Sequence, residues 1–180
     1  FGGSLGAQHV NDAMTEVLAR GAVKGDAQYI HGAGKSGYAA MKAALAERGV
    51  DEQTPHIRLR EYIDDMARCM AAADLVISRC GAMTLSELPA AGKPAILIPS
   101  PNVAENHQYH NAMALVQKGA AVCIEERELT ADRLWEAIRR ILFTDGESAR
   151  MGANARAAAI LDATDRIYAV IRQTLTDRAK

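Results

Sequence analysis

The sequence predicts an α/β domain in which a doubly wound parallel β-sheet is flanked by helices. Short apolar segments with strand character alternate with longer segments of helical spacing, and the connections between them are short. Hydrophobic residues make up 49% of the chain but aromatic residues only 4%, so the apolar content is mainly aliphatic and suits helices packed on a sheet. A length of 180 residues corresponds to one domain with a core of its own.

The first elements follow from the spacing of apolar residues. A helix is predicted over residues 7–20, because its apolar residues recur on one face at intervals of three and four. A short strand over 27–31 leads into a glycine turn and a helix over 37–48. The next strand, over 56–60, places its two apolar residues on one face, and a helix over 64–73 follows it.

The central elements continue this alternation. Residues 75–78 form an apolar run typical of a strand buried in a parallel sheet. A helix over 84–91, a strand over 94–98, a helix over 103–118 and a last strand over 121–124 come next.

The remainder of the chain is predicted to be helical, over residues 131–142, 148–161 and 164–177. The sequence contains no internal repeat, low-complexity stretch or linker. We therefore interpret residues 1–180 as a single domain.

Composition narrows the function classes. The net charge of −1 argues against nucleic acid as the main partner, since phosphate backbones attract a basic surface. No apolar run approaches the ~20 residues that span a bilayer, and no signal peptide opens the chain. The three cysteines are far apart without a CxxC pair, so neither a zinc site nor a disulfide framework is predicted. We expect a soluble domain from a reducing compartment, with no metal and no cofactor.

The chain opens with the letters FGGSLG, without an initiator Met and without a strand. A glycine turn of this kind normally follows a buried strand, of which only Phe1 could be the last residue. We therefore expect the chain to be a fragment of a longer protein that begins inside its first strand.

In a doubly wound sheet, ligands bind beyond the carboxyl ends of the strands, where loops lead into helices. The first such loop comprises residues 2–7 (GGSLGA). Its glycines let the backbone approach a ligand closely, and the helix that follows offers free N–H groups to a phosphate. The G-x-G-x-x-G dinucleotide fingerprint is absent. Alternatively, the loop is a tight turn in which Ser4 caps the helix.

The second loop contains the adjacent carboxylates Asp64 and Asp65. Such a pair could hold a metal. Capping of the helix that begins there is the better interpretation, because acidic residues are ordinary caps of helix N-termini.

The third loop, residues 78–87, contains another glycine turn ahead of a helix. Thr84 and Glu87 fit a capping box, in which each side chain satisfies the other's backbone donor. Alternatively Glu87 accepts hydrogen bonds from a ribose diol, and the helix N-terminus binds a second anion. Pro89 is tolerated best if the helix begins near Ser86.

The fourth loop, residues 99–111, continues from a proline-bounded segment into a polar cluster at a helix start. His107, Gln108 and Asn111 suit sugar hydroxyls, although each alone is also a common surface residue. Gln108 offers both a donor and an acceptor, and neutral His107 offers one of each. Two anion-binding helix starts, an acidic ribose partner and this cluster together indicate a site for a nucleotide-diphosphate sugar.

Six stretches of the sequence, in this order, resemble the C-terminal domain of the MurG family of N-acetylglucosaminyltransferases. They are residues 2–7 (GGSLGA), 62–66 (YIDDM), 79–87 (RCGAMTLSE), 91–95 (AGKPA), 106–112 (NHQYHNA) and 157–164 (AAAILDAT). The resemblance covers essentially the whole chain. It implies the two-domain GT-B fold, of which this chain would be the Rossmann-like C-terminal half that holds the sugar donor.

The resemblance also implies a set of residues that bind UDP-GlcNAc. They are Gly3, Ser4, Gly6, Ile63, Met83, Thr84, Glu87, His107 and Gln108. The diphosphate would lie against Gly3, Ser4 and Gly6 of the first loop and against Met83 and Thr84 of the third loop. Uracil would pair with the backbone of Ile63, the ribose hydroxyls with Glu87, and the GlcNAc hydroxyls with Gln108. The sequence departs from the family pattern at His107, where another Gln is common, and at Pro89 within the helix.

By resemblance, the full-length protein would transfer GlcNAc from UDP-GlcNAc to a lipid-linked N-acetylmuramyl-pentapeptide in peptidoglycan synthesis, with inversion at the anomeric carbon. The general base and the acceptor site would belong to an N-terminal domain, so this chain alone is expected to be inactive and not to contact the membrane. The full-length protein would work at the cytoplasmic face of the bacterial inner membrane. Alternatives are a stand-alone UDP-sugar-binding subunit, a related UDP-sugar lipid glycosyltransferase and a UDP-GlcNAc 2-epimerase.

Overall fold

Parallel strands form the centre of the molecule. The structure is a computed structural model that describes residues 1–3 and 7–178, so the candidate residues Ser4 and Gly6 lie outside the described residues. The described strands pair only in parallel, in two sheets. They are β1 (Tyr29–Gly32) and β2 (Ile57–Arg60) in one sheet, and β3 (Val76–Ser78), β4 (Ala95–Leu97) and β5 (Ala121–Cys123), in that order, in the other.

Helices occupy most of the remaining chain, and every predicted helix is present with shifted ends. They are α1 (Gln8–Lys24), α2 (Tyr38–Ala46), α3 (Met66–Ala72), α4 (Ala82–Ala91), α5 (His107–Val116), α6 (Ala131–Phe143), α7 (Glu147–Ala157) and α8 (Ala163–Arg178). Helix α1 runs four residues beyond its predicted end and stops at Gly25, whose φ of 64° is the left-handed conformation that glycine adopts without strain. In the described part of the chain, no helix is long and apolar enough to cross a bilayer.

Strand β4 is buried on both faces, and its residues alternate between two hydrophobic clusters. Ile96 belongs to a cluster formed mainly by α1, α2 and α6, whereas Ala95 and Leu97 belong to one formed mainly by α3, α4 and α5. Helices therefore cover both faces of this sheet. This confirms the doubly wound arrangement predicted from the alternation of elements.

Helix α4 begins earlier than predicted. Its first residue is Ala82, so Thr84 lies within the first turn and the predicted capping box with Glu87 does not form. The N-cap residue is Gly81, which has no side chain to accept a hydrogen bond from the helix.

Pro89 lies inside α4, so the expectation of a helix that starts near Ser86 is wrong. Proline removes one backbone donor and disturbs the preceding turn. The disturbance is confined to the end of the helix, because Gly92, with φ of 64°, terminates α4 three residues later.

The helix predicted over residues 103–118 is interrupted near its start. Glu105 and Asn106 have φ values of 51° and 50°, which no helix can continue through. A short 3₁₀ turn over Ala104–Asn106 therefore precedes α5, and His107 is the first residue of that helix.

A cavity of about 740 Å³ separates the two sheets and is bordered by β1 and β3. These two strands have no partner on the cavity side among the described residues. The backbone nitrogen of Phe1 enters the cavity and donates to the carbonyl of Ile77 at 2.7 Å. The expectation that a strand precedes Phe1 stays a prediction.

A buried polar network fastens α1 to the end of β1. His31 Nε2 donates to Asn11 Oδ1 at 2.9 Å, and Asn11 Nδ2 donates to the carbonyl of Ala33 at 2.9 Å. Both side chains are almost inaccessible to solvent. Burial lowers the pKa of His31 to about 3, because the site offers no water to a charged imidazole.

This network predicts a pH-dependent stability. Below pH 6.5, the ordinary pKa of histidine, the unfolded chain protonates His31 whereas the folded chain does not. The free energy of unfolding should therefore fall by about 1.4 kcal/mol per pH unit as the pH drops from 6.5 towards 3. Urea unfolding of the wild type and of His31→Gln measures this slope, which the substitution should remove. The exposed His110→Gln is the control. An unchanged slope in His31→Gln would contradict the assignment.

Candidate functional site

Because the strands are parallel, the loops that follow β3, β4 and β5 all leave the same edge of their sheet. Ligands of α/β sheets bind at this edge. Three of the four loops singled out from the sequence are attached here or to the equivalent end of β2. The fourth, the glycine turn before α1, is described only at Gly2, Gly3 and Ala7.

Among the described residues, no side chain caps the N-terminus of α1 or of α4. Their N-cap residues are Ala7 and Gly81, and neither first turn contains an acidic residue. Helix α6 provides the contrast, because Thr130 Oγ1 accepts a hydrogen bond from the backbone N–H of Arg133 at 3.2 Å. The free N–H groups of α1 and α4, reinforced by the helix dipoles, are therefore available to an anion.

The backbone is open to approach at Gly3 and at Gly81. Gly3 has a φ of 88°, which disfavours any other residue, and the space where its Cβ would stand is empty. The corresponding space at Gly81 is also empty. A diphosphate could thus come close to the main chain at either turn.

Met83 and Thr84 lie in the first turn of α4, and Glu87 lies one turn further on. Met83 is 74% exposed. Glu87 is exposed and makes no hydrogen bond or ion pair with any described residue. The capping interpretation of Glu87 is therefore wrong, and its carboxylate is free to accept hydrogen bonds from a ligand.

Gln108 joins two loops through its side-chain oxygen. Oε1 accepts from the backbone N–H of Cys80 at 3.3 Å and from that of Ser100 at 3.0 Å. These amides belong to the loops that follow β3 and β4. The expectation that Gln108 offers an acceptor to a sugar is therefore corrected: its oxygen is already engaged, and only its NH₂ group can serve a ligand.

His107 precedes Gln108 and has a fixed tautomer. Its Nδ1 donates to the carbonyl of Ala104 at 2.9 Å, so Nε2 is left as an acceptor on an exposed ring. A neutral His107 can thus accept one hydrogen bond but has no further N–H to donate.

Ile63 presents its backbone rather than its side chain. The side chain is buried against Gly32, 3.2 Å from the position of a Cβ there. Neither the N–H nor the carbonyl of Ile63 bonds to another described residue. Both groups can therefore pair with the edge of a base.

The neighbouring Asp65 does not cap α3, although it occupies the N-cap position. Its carboxylate instead accepts from Cys69 Sγ and from Arg60 Nη1, the latter at 2.6 Å. These two hydrogen bonds lower the pKa of Asp65. The capping prediction is wrong because a cation from the end of β2 competes for the carboxylate. Within the described ranges, no three His, Cys, Asp or Glu side chains form a metal site.

A buried carboxylate that sequence reasoning missed connects the loops further. Glu126, which follows β5, forms an ion pair with Arg79, and its Oε1 accepts from His9 Nδ1 at 2.6 Å. Arg79 Nη1 also donates to the carbonyls of Ile98 and Pro99 at 3.3 and 3.1 Å. No local pattern reveals this, because Glu126 lies in a charged stretch typical of a solvated turn.

The parallel strands, the helices on both faces and the loops at the carboxyl ends of the strands define an α/β domain of the Rossmann-like class. The comparison with known sequences specifies it further. The chain belongs to the glycosyltransferase family 28 C-terminal domain family, whose sequence model matches residues 1–167.

Named relatives agree with this family. A UDP-N-acetylglucosamine–N-acetylmuramyl-(pentapeptide) pyrophosphoryl-undecaprenol N-acetylglucosamine transferase of Acetivibrio thermocellus is 41% identical over 179 residues, which is 99% of this chain and 47% of that protein. The enzyme of the same name from Sorangium cellulosum is 43% identical over 170 residues, 94% of this chain and 41% of that protein. The chain thus spans about half the length of these relatives.

Solved structures show the same fold. The crystal structure of Acinetobacter baumannii MurG matches with a TM-score of 0.82 at 28% identity, over 96% of this chain and 48% of that chain. The spinosyn forosaminyltransferase SpnP, at 18% identity and a TM-score of 0.60, shows the fold alone. The resemblance to the MurG family and the prediction of one half of a GT-B fold are confirmed.

The tie made by Gln108 predicts a specific loss of stability. Gln108→Leu leaves two backbone N–H groups without an acceptor and should lower the free energy of unfolding by about 1–3 kcal/mol. Gln108→Glu keeps an acceptor oxygen, so its free energy of unfolding should fall much less. Urea unfolding measures both, with Gln117→Leu, at the exposed C-cap position of the same helix, as control. Equal losses in the Leu and Glu variants would show that the side-chain oxygen holds nothing.

Proposed function

We propose that this chain is the donor-binding half of an inverting glycosyltransferase that moves GlcNAc from UDP-GlcNAc to a lipid-linked N-acetylmuramyl-pentapeptide in peptidoglycan synthesis. The family membership and the names of the relatives support the reaction. The observation that carries the proposal is that the N-termini of α1 and α4, at the edge where the loops converge, have no side-chain cap among the described residues. They supply a site for a diphosphate without needing a metal ion.

Each described candidate residue then acts with a group that the fold leaves free. The diphosphate lies at the glycine turn of Gly3, Ser4 and Gly6 and at the first turn of α4. Uracil pairs with the backbone of Ile63, and the Glu87 carboxylate accepts from the ribose hydroxyls. The remaining contacts to GlcNAc come from the NH₂ group of Gln108 and from Nε2 of His107.

The helix N-termini also have a part in the chemistry. As the bond from the anomeric carbon to the diphosphate breaks, negative charge develops on the departing UDP. Oriented N–H groups stabilise that charge more strongly in the transition state than in the bound donor. The acceptor hydroxyl must lose a proton to a general base. We assign that base, and the contact with the lipid-linked acceptor, to the half of the longer protein outside this chain.

Ligand binding to the chain tests the proposal. Isothermal titration with UDP, UDP-GlcNAc, ADP and NAD should show binding of the two uridine ligands and at least tenfold weaker binding of the others. The chain alone should not transfer GlcNAc, since we assign the acceptor site and the general base to the other half of the longer protein. Preference for ADP or NAD, or robust turnover by the chain alone, would refute the proposal.

The role of Glu87 can be separated from any effect on folding. Wild type should bind UDP at least tenfold more tightly than 2′-deoxy-UDP, and Glu87→Gln should nearly abolish this difference. The melting temperature should not change, because Glu87 bonds to no described residue. Glu136→Gln, an exposed carboxylate on α6, is the matched control. An undiminished preference for UDP in Glu87→Gln would place the ribose elsewhere.

Gln108 should contribute to recognition of the sugar through its NH₂ group. Gln108→Glu retains the oxygen that holds the two loops but replaces the donor by an acceptor. The ratio of UDP-GlcNAc affinity to UDP affinity should therefore fall about tenfold, and discrimination against UDP-GalNAc should weaken. His107→Gln should change the ratio less. An unchanged ratio in Gln108→Glu would mean that this loop does not contact the sugar.

A further inference from the structure

The ion pair between Glu126 and Arg79 is the most deeply buried charge contact at the candidate site. Their side chains are 9% and 17% exposed. Glu126 opens a 3₁₀ turn after β5, and Arg79 lies between β3 and α4, two residues before Gly81. The pair therefore connects the start of α4 to a strand two positions away in the sheet.

Arg79 is the only cation in the loop that leads into α4. An arginine beside a glycine turn would ordinarily be interpreted as a phosphate ligand, because its planar fork suits phosphate oxygens. Here one end of the fork faces the Glu126 carboxylate and the other donates to two backbone carbonyls, those of Ile98 and Pro99. Both terminal nitrogens of Arg79 are thus directed at protein acceptors on two other loops.

The carboxylate keeps its charge in this environment. Burial by itself would raise the pKa of Glu126, but hydrogen bonds from His9 and Arg79 lower it below its ordinary value. Removing either member of such a pair leaves an uncompensated charge in a poorly hydrated place. The two residues must therefore be understood as one unit.

We propose that Glu126 and Arg79 are positioning residues of the donor site: the pair fixes the loop that carries Gly81 and the first turn of α4, and Arg79 does not itself bind the donor's phosphates. This inference rests on the proposed function. Backbone N–H groups that are already held in position before the diphosphate binds need no reorganisation on binding. Fixing this loop therefore favours binding of the diphosphate.

The test compares the dissociation constants of UDP and uridine for the chain and its variants. The dissociation constant of UDP should rise about tenfold in Arg79→Gln, in Glu126→Gln and in the double variant. The double variant should bind UDP no more weakly than the single variants, because either substitution breaks the same ion pair. Arg79→Lys should weaken UDP binding as much, since the single nitrogen of an ammonium cannot span acceptors that Arg79 reaches with two separate nitrogens. Uridine affinity should change less than twofold throughout.

Arg127→Gln is the matched control, because it removes a solvent-exposed ion pair, with Glu125, at the same 3₁₀ turn. It should change UDP affinity less than twofold. Melting temperatures identify any variant that fails to fold. In that case the UDP and uridine dissociation constants of Arg79→Lys, the mildest substitution, decide the outcome.

Two sets of results would overturn the inference. If Arg79→Lys retains UDP affinity and Glu126→Gln increases it, Arg79 is a phosphate ligand. If UDP and uridine affinities fall in parallel, the pair has only a structural role. Should wild type bind no UDP at all, it is the proposed function that fails, whereas binding of UDP with unaffected variants refutes the positioning role alone.

Discussion

Burial of β4 on both faces is the constraint on which the remaining architecture depends. Helices cover both faces of β4, so polar groups can gather only at the ends of the strands. Because the neighbouring strands are parallel, the loops that follow them lie at the same edge of the sheet. The hydrophobic effect that covers Ile96 and Leu97 thus also determines where polar groups gather. The candidate site is a consequence of this packing and not a separate feature.

Loops gathered at one edge still need to be held in place, and here the ties run from side chains to backbone. Gln108 accepts from two amides, Arg79 donates to two carbonyls, and Asn11 donates to a third carbonyl beneath α1. Backbone groups that leave a sheet are expensive to bury unpaired, so each tie both satisfies them and joins one loop to another. A few side chains therefore give the loops a defined geometry.

The groups proposed to bind ligand are those that the fold leaves unused. Among the described residues, the N–H groups of α1 and α4 have no side-chain cap, the backbone of Ile63 has no hydrogen-bond partner, and Glu87 has no partner. Asp65 shows the opposite outcome, because Arg60 and Cys69 occupy its carboxylate. Carboxylates that follow the carboxyl ends of parallel strands thus differ in availability according to their neighbours: Asp65 is engaged within the protein and Glu87 is available to a ligand.

The sequence by itself determined the order of strands and helices, the parallel doubly wound arrangement, the family, and the two glycine turns that open helices. These features depend on residue spacing and on backbone preferences, which act over a few residues. Only the tertiary structure decided that Thr84 and Glu87 form no capping box, that the oxygen of Gln108 is engaged, and that Glu126 pairs with Arg79. Such contacts join residues as far apart as His9 and Glu126, 117 positions along the chain, and are created by packing that no local pattern encodes.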